Sequence, residues 1–375
     1  MRIVILIFCG IILASCSRVT DSSSLPAGMP NDSTATLGAT KTSRLLTVHP
    51  LTGTNYKSLY SFEGYPDGSG PYAGLVAVNG KLYGTTIDSG SLNCQYGCGT
   101  VFEVSTSGKE RVLYSFKGEN GDGANPMASL IFANGKLYGT TELGGTGSCS
   151  NYSSVVGCGI VFKVSTSGTE NVLYSFKGGK DGSGPAAGVI TVNGTLYGTT
   201  LTGGANSEGT AFSLTLSGTE KVLHSFGGSG DGDQPFSGLL ILNGTLYGTT
   251  YTGGAAYGTG TVFEVSTSGK EHVLHIFKGY RNGAFPHAGL VAVNGTLYGT
   301  TSSGGVTRCT SGSGPGCGTI FKVSTSGAEH LLHRFKGGTD GASPYAGLVT
   351  INGALYGTTV LGGSSGYGTV FRISP

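Results

Sequence analysis

The amino-acid sequence predicts an all-β chain folded as a six-bladed β-propeller of four-stranded antiparallel blades, and three observations carry that expectation. First, Leu-Tyr-Gly-Thr-Thr recurs six times, starting at Leu82, Leu137, Leu196, Leu246, Leu297 and Leu355. The spacings are 55, 59, 50, 51 and 58 residues, a base period near 50 with insertions in particular copies, as repeat architectures show. Second, each repeat divides into four short apolar runs separated by turn residues. In the first repeat these run from Gly74 to Val78, Lys81 to Thr86, Thr100 to Ser105 and Glu110 to Phe116. Third, 70 of the 375 residues are glycine. After Gly53 no glycine-free stretch exceeds eleven residues, and the longest contains Pro126, so helices of ordinary length have no room.

Taken in chain order, residues 1–15 read as an export signal. Ile3 to Leu13 is an apolar run behind Arg2, too short to span a bilayer as a helix. Leu13-Ala14-Ser15-Cys16 resembles the lipobox of bacterial lipoproteins, which implies a lipid on Cys16; an ordinary secretory signal with an incidental cysteine is the alternative. With Ser17 and not Asp after the cysteine, the resemblance implies the outer membrane, with the protein facing the periplasm or the cell surface. Residues 16–55 are rich in Ser, Thr and Pro and read as a lipid-anchored tether. Residues 56–375 form the propeller.

Within each repeat the first two strands are joined by Asn-Gly, from Asn79-Gly80 to Asn352-Gly353, a strong signal for a type I′ hairpin. The last two are joined by Ser-Thr-Ser-Gly in most copies, as at Ser105 to Gly108. The chain enters with an isolated fourth strand, Ser58 to Phe62, and leaves after a third, Gly368 to Arg372. Pairing these two would close the ring and hide its edges. A β-solenoid is the competing architecture, disfavoured because long hairpin-bearing repeats are not its usual coil.

Leu-Tyr-Gly-Thr-Thr, the following Gly-Gly and Gly-Thr-Val-Phe together resemble the GloVer (Gloeo/Verruco) tandem repeats of bacterial surface proteins with variable anchors, over residues 56–375. The resemblance implies a propeller and a surface location, and it brings no catalytic residues. The third repeat departs locally, with Gly209-Thr210-Ala211-Phe212.

Strands in a blade alternate in direction, so the two tight turns share one end of the ring. The long connections share the other end, where all length variation falls, and that end is the expected binding face. Its aromatic and basic candidates are Tyr65, Tyr72, Tyr96, Tyr251, Tyr257, Arg281, Phe285, His287 and Tyr345, suited to stacking on sugar or apolar ligands. Cys94/Cys98, Cys149/Cys158 and Cys309/Cys317 each fall inside one long loop. In an exported chain they read as local disulfides, whereas separated pairs leave zinc short of ligands.

A formal charge of +2 gives no electrostatic case for nucleic acid. The Asp-Gly-x-x-Pro element reads as a turn, since alone it offers calcium too few oxygens. His224, His275 and His333 take the place of Tyr60, Tyr114 and Tyr174 on separate strands and read as aromatic substitutes. Six acids break the repeat pattern: Glu63, Asp88, Glu119, Glu142, Glu208 and Asp233. The expected function is a monomeric, lipid-anchored propeller that binds a glycan, peptide or partner protein, with no catalytic residue, metal or cofactor assigned. A carbohydrate-active envelope hydrolase or lyase using the irregular acids, and a purely structural surface protein, are the alternatives.

Overall fold

The computed structural model describes residues 58–149, 155–254, 258–309 and 316–375. The leader, Cys16, the tether and Tyr257 lie outside the described residues. Blade one pairs Val76–Val78, Lys81–Thr86, Thr100–Ser105 and Glu110–Ser115 in that order. Blades two to five repeat the four-stranded antiparallel sheet, ending on Glu170–Ser175, Glu220–Ser225, Glu271–Ile276 and Glu329–Arg334. Blade six contributes Val349–Ile351, Ala354–Thr359 and Thr369–Ile373. The described residues contain no α-helix, only three single 3-10 turns. The hairpin turns are as the sequence predicts, with every Asn of the six Asn-Gly pairs at φ between 47° and 51°.

The recurring pentapeptide is explained by what each residue touches. Its leucine is fully buried in blades two to six. A Cβ at Gly248 would sit 2.5 Å from the Phe263 ring, so glycine lets the phenylalanine of the third strand lie over the second. The first threonine bonds the next blade: Thr85, Thr140, Thr199, Thr249 and Thr300 donate to the carbonyls of Ala128, Ala187, Ser237, Ala288 and Ala346 at 3.0–3.4 Å. In every blade but the second, where Ile160 takes that place, the second threonine meets a threonine on the third strand of its own blade, as in Thr250 with Thr261 at 2.8 Å.

The apolar cores lie at the seams between blades. Leu223 and Phe226 of blade three pack with Leu246, Phe263 and Val265 of blade four in one cluster. At each seam a fourth-strand phenylalanine meets the third-strand phenylalanine of the next blade edge-on, with centroids 4.9–5.2 Å apart.

The expected closure differs in one respect. Residues 58–62 sit against blade one as a fourth strand should: Phe62 meets Phe102 at 4.9 Å, and the Leu59 carbonyl packs on Gly108 as the Leu113 carbonyl does on Gly168. Their expected pairing with the last strand is not among the sheet pairings of the described residues, where the sixth sheet ends at Thr369–Ile373. Residues 58–62 thus retain the seam contacts of a fourth strand without its backbone ladder.

Candidate functional site

The long connections carry a turn that places one side chain per blade around the axis. In Asp-Gly-x-x-Pro, which begins with Asn282 in the fifth repeat, the residue before proline takes a left-handed backbone in all six repeats, at φ 55–66°. The proline expected to open the inner strand instead lies five residues ahead of it, as Pro71 does of Val76–Val78, and one residue per blade comes directly after it. These residues are Tyr72, Met127, Ala186, Phe236, His287 and Tyr345. All but Tyr345 line a single cavity of about 450 Å³ bounded by residues from all six blades, Gly347 supplying the sixth. No Asp, Glu, Lys or Arg lines it.

One side of this rim is aromatic. Phe236 stacks on His287 at 5.1 Å, and His287 meets Tyr345 at 5.2 Å and Tyr251 at 5.8 Å. Tyr251 in turn contacts Phe236 at 5.5 Å and Phe285 at 5.2 Å. Burial lowers the pKa of His287, which favours a neutral ring. Phe285 holds φ 57°, a conformation that a bulky side chain adopts only under strain, on the order of 1–3 kcal/mol. The other blades place Gly70, Asn125, Gly184, Gln234 and Ser343 there.

Of the sequence-derived candidates, the structure brings Tyr251, Phe285, His287 and Tyr345 together, and sets Tyr72 on the same cavity. Tyr65 and Tyr96 are 60% and 68% exposed and stack on none of the rim rings. Arg281 lies in the Tyr280–Asn282 turn, where its carbonyl accepts from Arg334 Nε at 3.0 Å. Phe236 and Met127 were not singled out by sequence; the register after proline would have found both. The three disulfides form as expected, Cys94–Cys98, Cys149–Cys158 and Cys309–Cys317.

A second polar pattern recurs at the seams. The Asp of Asp-Gly accepts the fourth-strand tyrosine hydroxyl, as in Tyr60 to Asp67, Tyr114 to Asp122 and Tyr174 to Asp181 at 2.7–2.8 Å. It also accepts a backbone N–H, that of Glu63, Lys117 and Lys177 at these three turns, so the turn reading holds. A glutamate of the next blade approaches the same aspartate. Burial, reinforced by that aspartate's charge, pushes Glu110 and Glu170 up to about 7 and Glu220 to about 8. His224 replaces tyrosine against Asp231 at 2.8 Å.

Among the irregular acids, burial raises the pKa values of Asp88 and Glu142. Asp233 is pushed up to about 6 by burial and by the charges of Glu208 and Asp231. It lines an open cleft of about 420 Å³ together with Asp231 and the glycines of two turns.

No curated protein sequence matches the chain. Solved structures that resemble it include the tricorn protease, at 12% identity and TM-score 0.40 over 80% of this chain, which spans a quarter of that protein. A gluconolactonase from Xanthomonas campestris matches at 13% identity and TM-score 0.41, over 74% of this chain and 79% of its own. An α-L-arabinofuranosidase from Fusarium graminearum matches at 13% and 0.46, over 84% and 96%. The family model of the Gloeobacter/Verrucomicrobia repeat covers residues 33–155 and 147–371, so the recurring blades and the chain that carries them belong to that family.

Proposed function

We propose that this protein is an envelope lipoprotein, anchored through Cys16, whose propeller binds an uncharged glycan at the axial rim. One observation carries the reading: five rings, Phe236, Tyr251, Phe285, His287 and Tyr345, converge beside a concave site whose lining bears no formal charge. Aromatic faces stack on the apolar faces of sugar rings, and a charge-free lining favours neutral ligands. Strain held at Phe285 fits a residue kept for contact more than for folding. We infer in addition that Ser58 to Phe62 pairs with the last strand when the ring closes.

Binding of the full chain to a panel of neutral oligosaccharides tests this, with Phe236→Ala and Phe285→Gly as variants. Each variant is expected to weaken binding about tenfold, the order of one aromatic contact, while Phe285→Gly should also raise the melting temperature by relieving its backbone. Unchanged affinity in both variants would remove the rim from consideration.

A second reading is favoured by Asp231 and Asp233, two carboxylates that share one open cleft. It makes the protein a carbohydrate-active enzyme. Turnover of any glycan in that panel, abolished by Asp233→Asn and indifferent to Phe236→Ala, would select it.

A further inference from the structure

We propose that His224, Asp231 and Glu271, which meet across the seam between blades three and four, bind a divalent transition-metal ion, with Zn²⁺ the best-suited species. They come from the fourth strand of blade three, the turn that follows it and the start of the fourth strand of blade four. One donor atom from each lies within 4.8 Å of the other two.

The same places recur at the other seams, and their occupants show what is different here. Tyr60, Tyr114 and Tyr174 put a phenol where His224 stands, and each donates a hydrogen bond to the aspartate. A protonated phenol is a poor metal ligand, whereas a neutral imidazole offers a nitrogen lone pair. At the next seam Asn282 stands in the aspartate position that follows His275, whose Nε2 is buried without a hydrogen-bond partner. His333 does meet Asp340, at 3.1 Å, but among the described residues no third donor joins that pair. Among the described residues, one seam alone joins a nitrogen donor to two carboxylates.

An imidazole with two carboxylates suits zinc better than calcium or magnesium, which prefer all-oxygen shells. Zinc bonds of about 2.0–2.2 Å set tetrahedral donors roughly 3.4 Å apart. The His224 Nε2 to Asp231 Oδ2 pair, at 2.8 Å, therefore opens slightly while Glu271 moves in. Glu271 Oε1 is buried with no hydrogen-bond partner. Its counterparts in Glu110, Glu170, Glu220 and Glu329 share that state, so the meeting of a nitrogen donor with both carboxylates is what singles out this seam. Asp231 also lines the open cleft of about 420 Å³, which gives an ion a way in and leaves a fourth position for water.

The test is calorimetric titration of untagged, chelator-stripped protein with Zn²⁺, run beside His224→Tyr, Glu271→Gln and His275→Tyr. His224→Tyr installs the residue used at three other seams, so folding is preserved. Expected is one equivalent at a Kd of about 10 μM or tighter, weakened at least roughly tenfold by His224→Tyr and Glu271→Gln and unchanged by His275→Tyr. Zinc should raise the melting temperature of the parent and leave that of His224→Tyr unmoved. No binding by the parent, or equal binding by His224→Tyr, would overturn the site and leave His224 as a hydrogen-bonding substitute for tyrosine.

Discussion

The seam between blades three and four and the outer edge of blade six are built from the same sequence pattern and end in opposite states. Val262 of blade four is 0% exposed, whereas Val370, at the same place in blade six, is 81% exposed. Thr140 and Thr249 are buried under the next blade, whereas Thr358 is exposed. The side chains are alike, so the difference lies in what covers them. Blade six still buries its own Leu355, but the outward threonine and the third-strand valine are covered only where a fourth strand and a following blade lie over them, which is why much of the stability in repeat architectures resides in neighbour contacts.

The largest effect should come from removing a seam phenylalanine. Phe226→Ala deletes a fully buried ring packed on Phe263 at 4.9 Å and should destabilise by about 3–5 kcal/mol in urea unfolding. Phe371→Ala, at the partly exposed edge, should lose about half as much if that edge is open. Equal losses would mean that Ser58 to Phe62 covers the edge in solution, and slow amide exchange over Thr369–Ile373 would confirm it.

Acidity offers a second probe of the seams. Glu110, Glu170 and Glu220 titrate near 7–8 when folded, against about 4.5 when free. Between those values the native state holds more protons than the unfolded chain, so stability falls as pH rises through that window. The melting temperature should therefore be higher at pH 5 than at pH 8. Glu220→Gln should flatten the fall and raise the pH 8 value by about 2 °C, the shift that roughly 1 kcal/mol gives in a large domain. A melting temperature that climbs from pH 5 to pH 8 would contradict buried, protonated glutamates.

The smallest effect contrasts two threonines. Thr140→Val removes a buried bond to the Ala187 carbonyl at 3.0 Å and should lose about 1 kcal/mol, while Thr358→Val should be silent. A matching loss at Thr358 would again indicate a covered edge.

Much of this was legible in the sequence, for identifiable reasons. Asn79-Gly80 and its five copies announce a backbone that only a hairpin turn satisfies, and the pentapeptide spacing sets the blade. The rim is half legible: Tyr251, Phe285, His287 and Tyr345 stand out as rings in variable loops, whereas Phe236 lies one past a proline, in a position that Met127 and Ala186 hold in other repeats, so no recurring ring marks the site. The seam groups were harder to see. Glu271 lies 40 residues beyond Asp231, each in a regular position of its own repeat, and only the turn from one blade to the next brings them face to face.

The place of the rim residue, directly after a proline, has an evolutionary consequence. Exchanging it alters neither the turn before it nor the sheet after it, so six codons, with Tyr251 and Phe285 beside them, set much of the contact surface while the scaffold stays as it is. Duplicating or replacing a single repeat would swap one letter of a six-letter address, and affinity for new ligands could be acquired stepwise without passing through an unfolded intermediate.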